Sequence, residues 1–247
     1  MGNVARIEIV KGAASSLYGS QAIGGVINII SQDAFKPWSV NVNARVGTIG
    51  SQRYGASVGT RSGRIRNTFN VLREKNNSIV LPRDGVFEEI YANNTWNFKD
   101  RLKYNPTENL TFTARASYFF REMESSKVIF NRYRDFSGGL KGEMKIAEGR
   151  NFELSYSYDQ YDKSDYTLAS RLDIRDYSNV QHSVRGLYNH TFVGKHTLTV
   201  GGDYMRDYLL TYQFANGGSF YQHTADVFAQ FEWTLPKDWQ IVGGTRF

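Results

Sequence analysis

The residues of this sequence with the most adaptable chemistry are four histidines, His182, His190, His196 and His223, and four carboxylates crowded at Asp162, Asp165, Asp173 and Asp176. Imidazoles bind metals and move protons, and carboxylates gathered on a loop can hold calcium. Neither set forms a recognisable constellation. There is no His-Glu-x-x-His run, and no histidine makes a close pair with carboxylates. Lys163, Arg171 and Arg175 are interleaved with the aspartates, which predicts a solvated loop of mixed charge rather than a cation site. The chain has no cysteine, which excludes disulfide scaffolds, Cys-based zinc sites and thiol catalysis. The sequence therefore predicts no enzyme, no metal centre and no cofactor. Its 30 Lys and Arg against 24 Asp and Glu give a net charge of +6. The basic residues are spread without a run, which argues against nucleic acid as a partner.

Elements must position these residues, and the pattern changes along the 247-residue chain. Residues 1–36 are rich in small residues and turns. Residues 37–247 alternate apolar and polar with period two, as strands do. Val40, Phe112, Leu154, Tyr188, Leu198 and Phe231 fall on one face, and Arg45, Arg115, Glu153, Asp203 and Glu232 on the other. Asn67 and Asp100 break the rule. Eleven strands are predicted, at about 38–47, 52–61, 64–74, 91–104, 110–121, 132–146, 151–162, 180–192, 197–209, 222–234 and 239–247. Tight turns at one end alternate with long connections at the other, about 75–90, 122–131, 163–179 and 210–221.

Strands near ten residues, short turns at one end and long loops at the other describe an outer-membrane barrel. Mean hydropathy of -0.48 does not oppose this, because alternation keeps the average low. Trp38, Tyr104, Phe152, Phe192, Trp233 and Trp239 cluster where strands meet the tight turns, as an interfacial aromatic belt would. A soluble β-sandwich also alternates, but has no need of the asymmetry in its connections. Eleven strands are odd, whereas bacterial single-chain barrels use even numbers. The expected fold is therefore an all-β partial transmembrane antiparallel barrel, cut at both ends.

Residues 4–31 carry a denser motif. Val-Ala-Arg-Ile-Glu-Ile-Val-Lys-Gly predicts a strand and a turn at Gly12, with short helical turns following over Ala13–Tyr18 and a stop at Gly19. Gly24-Gly25 then precedes a strand, Val26–Ile30, where they permit close approach or positive φ. Arg6, Ile7, Glu8, Gly12, Ser15, Leu17, Tyr18, Gly19, Ala22, Ile23, Gly24, Gly25, Val26, Ile27, Asn28 and Ile29 match the end of the plug domain of TonB-dependent outer-membrane receptors. Lys11 and Ala13 depart from its commoner Arg and Pro. The segment resembles that family, and Gln21-Ala22-Ile23-Gly24-Gly25 leans toward its siderophore, haem and cobalamin branch rather than its glycan-importing one.

The resemblance implies a plug end over 1–36 and the first half of a 22-stranded barrel over 37–247. It implies a cell outer membrane location in a Gram-negative bacterium and energy-coupled uptake of a scarce large nutrient. The implied partners are the TonB complex through an upstream segment, outer-membrane lipid and lipopolysaccharide, and a metal-chelate or similar ligand. Arg6, Glu8 and Lys11 are the plug charges expected to hold it in the lumen. His182 and His223 begin strands that flank one other strand, about 10 Å apart. With Arg171 and Arg175 they are the rim candidates for ligand contact. A structural or adhesive barrel would need no plug motif, and an outer-membrane hydrolase would need a catalytic cluster at its rim.

Overall fold

The computed structural model describes residues 4–10, 25–31, 33–80, 89–192, 196–212, 217–236 and 239–247. The helical turns expected over Ala13–Tyr18 lie outside these residues. Two strands open the chain, β1 (Val4–Val10) and β2 (Val26–Ser31), paired antiparallel with Ile7 opposite Ile29 and Glu8 opposite Asn28. Gly25 enters β2 at φ 117°, a conformation that favours glycine.

The body is one sheet of eleven strands. They are β3 (Trp38–Val46), β4 (Gln52–Ser62), β5 (Ile65–Asn76), β8 (Asn93–Thr107), β9 (Leu110–Glu124), β10 (Ile129–Ala147), β11 (Arg150–Thr167), β12 (Leu172–Thr191), β13 (Thr197–Thr211), β14 (Gly218–Thr234) and β15 (Gln240–Arg246). A small hairpin, β6 (Ile79–Val80) with β7 (Glu89–Ile90), sits between β5 and β8. Each strand pairs antiparallel with its predecessor in the sheet, from β3 at one edge to β15 at the other. The meander follows from short turns, which can join only antiparallel neighbours.

Register carries the alternation across the whole sheet. Val40, Phe112, Leu154, Tyr188, Leu198 and Phe231 share one face, hereafter outer, and Arg45, Arg115, Glu153, Asp203 and Glu232 share the inner one. The usual core is missing. Among the described residues the buried hydrophobic side chains are Ala34 and Phe228, while Thr113, Ser164, Ser178, Thr199, Thr211 and Gln230 are buried polar ones. Val42, Leu140 and Val227, all on the outer face, are 73, 62 and 62% exposed. A sandwich would hide such side chains against a second sheet; lipid is the solvent that suits them here. The six belt aromatics are all exposed. Asn67 and Asp100, the exceptions to apolar alternation, are both on the outer face, and the Asn67 amide donates to the Asp100 carboxylate at 2.9 Å. Each is the other's partner.

The long connections need correction. Residues 163–179 are not a loop: β11 continues to Thr167, β12 begins at Leu172, and residues 168–171 turn between them. Likewise β9 runs to Glu124 and β10 starts at Ile129. Beyond the apolar band polar residues appear on both faces, so hydrophobic periodicity weakens while backbone pairing continues. Cross-strand ion pairs take over, Lys163 to Asp176 at 3.0 Å and Arg175 to Asp162 at 3.4 Å.

Candidate functional site: the inner wall and its N-terminal junction

The inner face is a field of charge with an uneven distribution. From β3 to β9 it presents Arg45, Arg53, Arg61, Arg66, Lys99, Arg101, Lys103, Arg115 and Arg121 against Glu74. From β10 to β15 it presents Asp135, Glu143, Glu153, Asp159, Asp203, Asp207, Asp226 and Glu232, with Lys141, Lys145, Lys163, Arg185 and Arg246 among them. An open cavity of about 560 Å³ lies where the two parts meet. Its basic side holds Lys99, Arg101 and Arg115, its far side the Lys141–Glu153 pair at 2.8 Å, and its lining includes the Ser117–Ser137 hydroxyl pair.

The segment after β2 is seated on the basic part. Arg66 and Lys103 lie directly opposite each other on β5 and β8, a like-charge pairing that costs free energy unless an anion answers it. Asp33 supplies that anion. Its Oδ2 accepts from Lys103 Nζ at 3.0 Å and Arg66 Nη1 at 3.4 Å, and its Oδ1 accepts from Arg101 Nη1. Burial pushes the Asp33 carboxyl up, but hydrogen bonds from Lys103 and Arg101 together with their charges outweigh it and hold it below the usual carboxylate range. The next residues complete the seat. Ala34 is buried against Gly59, where a Cβ would stand 3.4 Å from the alanine methyl and 2.7 Å from Ser39 Oγ, so only glycine leaves both their room. Arg61 donates its backbone N–H to the Pro37 carbonyl at 3.0 Å and its side chain to the Phe35 carbonyl at 3.5 Å.

A second cluster sits near the other edge. Asp203 and Asp226 face each other on β13 and β14, and Arg246 Nη2 reaches one carboxylate oxygen of each at 2.9 Å. Arg185 joins at 3.5 Å from Asp203. Phe228 is buried between the two guanidiniums, at 5.0 Å from Arg185 and 5.3 Å from Arg246, a cation–π arrangement.

The residues singled out in sequence fall elsewhere. Arg6 and Glu8 pair with each other at 2.7 Å, and Asn28 donates to Glu8 at 3.0 Å. These side chains join β1 to β2; the described contact to the wall is made by Asp33, which the motif did not indicate. Lys11, Gly12, Leu17, Tyr18, Gly19 and Gly24 lie outside the described residues. Arg171 occupies the β11–β12 turn at φ 56° and Arg175 pairs with Asp162. His182 and His223 are on the outer face, each bonded to a tyrosine, and so point away from the inner wall. Of the four crowded aspartates, Asp173 is held by Arg132 and Arg134 at 3.0 and 2.6 Å.

Known proteins share both parts of this arrangement. Residues 1–26 match the family model for the TonB-dependent receptor plug domain. Over 99% of its length the chain superposes on the siderophore receptor PirA from Acinetobacter baumannii, with a TM-score of 0.79 at 17% identity, covering 43% of that chain. The first residues thus carry the plug signature of TonB-dependent receptors, and the sheet has the fold of this solved receptor. The ferric enterobactin receptor from Pseudomonas aeruginosa gives 0.77 at 14% identity over 99% of this chain and 44% of that one. In sequence, a vitamin B12 transporter of Vibrio cholerae is 45% identical over 60 residues, which are 24% of this chain and 10% of that protein. An iron-regulated outer membrane virulence protein of the same species is 56% identical over 39 residues, 16% of this chain and 6% of the relative. The chain thus spans less than half of the solved receptors it matches. An outer-membrane location agrees with the iron-regulated outer membrane protein that the chain resembles and with the exposed apolar outer face.

Proposed function

We propose that the chain is the plug end, residues 1–36, and the first barrel strands, residues 37–247, of an outer-membrane receptor for TonB-dependent uptake of a scarce large nutrient. A ferric siderophore, haem or cobalamin is the substrate class. The observation that carries this reading is the seating, through Asp33, of the segment that follows the plug-family match on a charged inner wall. A plug that must move during transport has to be held by polar contacts that re-form without exposing an apolar core. The ion cluster at Asp33 is of that kind: water and counterions can replace each contact, at a modest net cost. The short-turn end faces the periplasm and the β11–β12 end the exterior, where Arg171 and Arg175 stand nearest an arriving ligand. Arg6 and Glu8 join the two plug strands in this scheme, and with Lys11 they are the plug charges proposed to hold the plug in the lumen. No part of it requires bond-breaking chemistry. The test is growth of a receptor-deficient Gram-negative strain on ferric siderophore, haem or cobalamin as the limiting nutrient, with the receptor containing this chain supplied. Growth that depends on TonB on one of the three is expected. Equal growth with and without TonB would overturn the reading.

A further inference from the structure

We propose that His182, Arg206 and His223 form a site on the outer face for a phosphate monoester carried by a lipid headgroup. The three residues are one row of the sheet: His182 of β12 is opposite Arg206 of β13, which is opposite His223 of β14. Neighbouring strands lie about 4.8 Å apart, so the row is about 10 Å long and brackets a phosphate centred on Arg206.

The side chains are prepared for this. Tyr156 Oη lies 2.9 Å from His182 Nδ1, and Tyr204 Oη lies 2.8 Å from His223 Nδ1. The tyrosine on each Nδ1 orients the ring and leaves Nε2 to meet a ligand. Arg206 sits 5.9 Å from the Tyr221 ring, which packs on Tyr208 at 5.0 Å. Arg206 is exposed and has no acidic partner among the described residues. Further out on the same face, Arg132 and Arg134 are claimed by Glu122 and Asp173. Asp162, two rows further out on the same face, is taken by Arg175 and Ser178.

Position selects a lipid over a dissolved anion. One row toward the short turns, the outer face becomes apolar, with Val184 and Tyr204 exposed. Acyl chains would cover that band, and tyrosines at its edge belong at headgroup level. A forked guanidinium with a ring N–H on either side supplies three donor groups for the oxygens of a phosphate monoester, which carries nearly two charges at neutral pH. A phosphodiester headgroup carries one. The proposal rests on the outer face meeting lipid and not on which nutrient is imported, so failure of the uptake test leaves it standing.

The experiment is native mass spectrometry of the chain in neutral detergent, titrated with phosphatidic acid, a phosphomonoester lipid, and with phosphatidylglycerol of the same acyl chains. Phosphatidic acid should be retained about tenfold more tightly, the scale of one charge-assisted hydrogen-bonded contact. Arg206→Ala should remove that preference and Arg206→Lys should keep part of it. Double substitution His182→Phe with His223→Phe should weaken retention with Arg206 intact. Equal retention of the two lipids by the unmodified chain, which needs no variant to fold, would overturn the proposal. So would an unchanged preference in Arg206→Ala. Full displacement of phosphatidic acid by equimolar inorganic phosphate would refute the lipid assignment, since a free anion would then suffice.

Discussion

Two ion clusters of the inner wall solve one problem in opposite signs. At Arg66 and Lys103, two cations face each other across β5 and β8 and an aspartate comes between them. At Asp203 and Asp226, two anions face each other across β13 and β14 and an arginine comes between them. The difference is where the third charge originates. Arg246 belongs to the neighbouring strand, so its cluster is part of the sheet and opens only if strands separate. Asp33 belongs to the segment before the sheet, so its cluster can open while every ladder hydrogen bond stays in place. The same electrostatic device makes a fixed joint in one region and a releasable one in the other.

The largest effect should come from breaking the fixed joint. Arg246→Met leaves Asp203 and Asp226 facing each other without their shared cation, and should lower unfolding stability by about 3 kcal/mol. Urea titration in detergent would read it, and adding Asp226→Asn should restore part of the loss. If Arg246→Met unfolds at the wild-type midpoint, the joint is not structural. Asp33→Asn should act differently. It should cost about 2 kcal/mol of docking free energy, the scale of hydrogen bonds to a charged group. Amide exchange should accelerate at residues 33–36 and at the Arg61 N–H, with β11 and β12 unaffected. Exchange that rises equally throughout the sheet would erase the distinction between the two joints.

Acid provides a milder way to open the releasable joint. The folded Asp33 carboxyl is held below its usual value, so its contribution is complete above the unfolded value of about 3.9 and is lost as pH falls through the lowered folded value. Protection of the Arg61 N–H should therefore fall in that acid window in the natural chain and stay flat in Asp33→Asn. The smallest effect is expected from Gly59→Ala. The new methyl would press on Ser39 Oγ and Ala34, at 2.7 and 3.4 Å, costing about 1 kcal/mol of docking as mild overpacking. Crystallography or exchange should show residues 33–37 displaced without a change at Arg246.

The sheet was legible because a period of two leaves no freedom: once Val40 and Phe112 face lipid, Arg45 and Arg115 must face inward. Strand lengths were not legible past the lipid. From Lys163 onward apolar residues are few and split by the turn, and cross-strand partners, such as Asp176 for Lys163, mark the continued pairing. Asp33 was invisible because a lone aspartate among Ser31, Gln32 and Ala34 has no pattern of its own. Its trace lies in the wall: aligning the strands near 65 and 103 puts Arg66 opposite Lys103, which calls for an anion. His182 and His223 were legible as a pair, and so is their face. Strand parity from Leu198 and Tyr204 through Arg206 places them outward.

The strands β10, β11 and β12 have 19, 18 and 20 residues. At about 3.3 Å per residue and a tilt near 45°, twenty residues climb roughly 47 Å, against an apolar band of about 25 Å. The β11–β12 hairpin is then a mast rather than a tether. Its tip between Thr167 and Leu172 stands well clear of the bilayer at a height set by paired backbone. An antibody, a phage fibre or a bulky particle approaching the cell meets that tip before it meets the membrane, and an epitope spliced into residues 168–171 would be displayed at a fixed elevation.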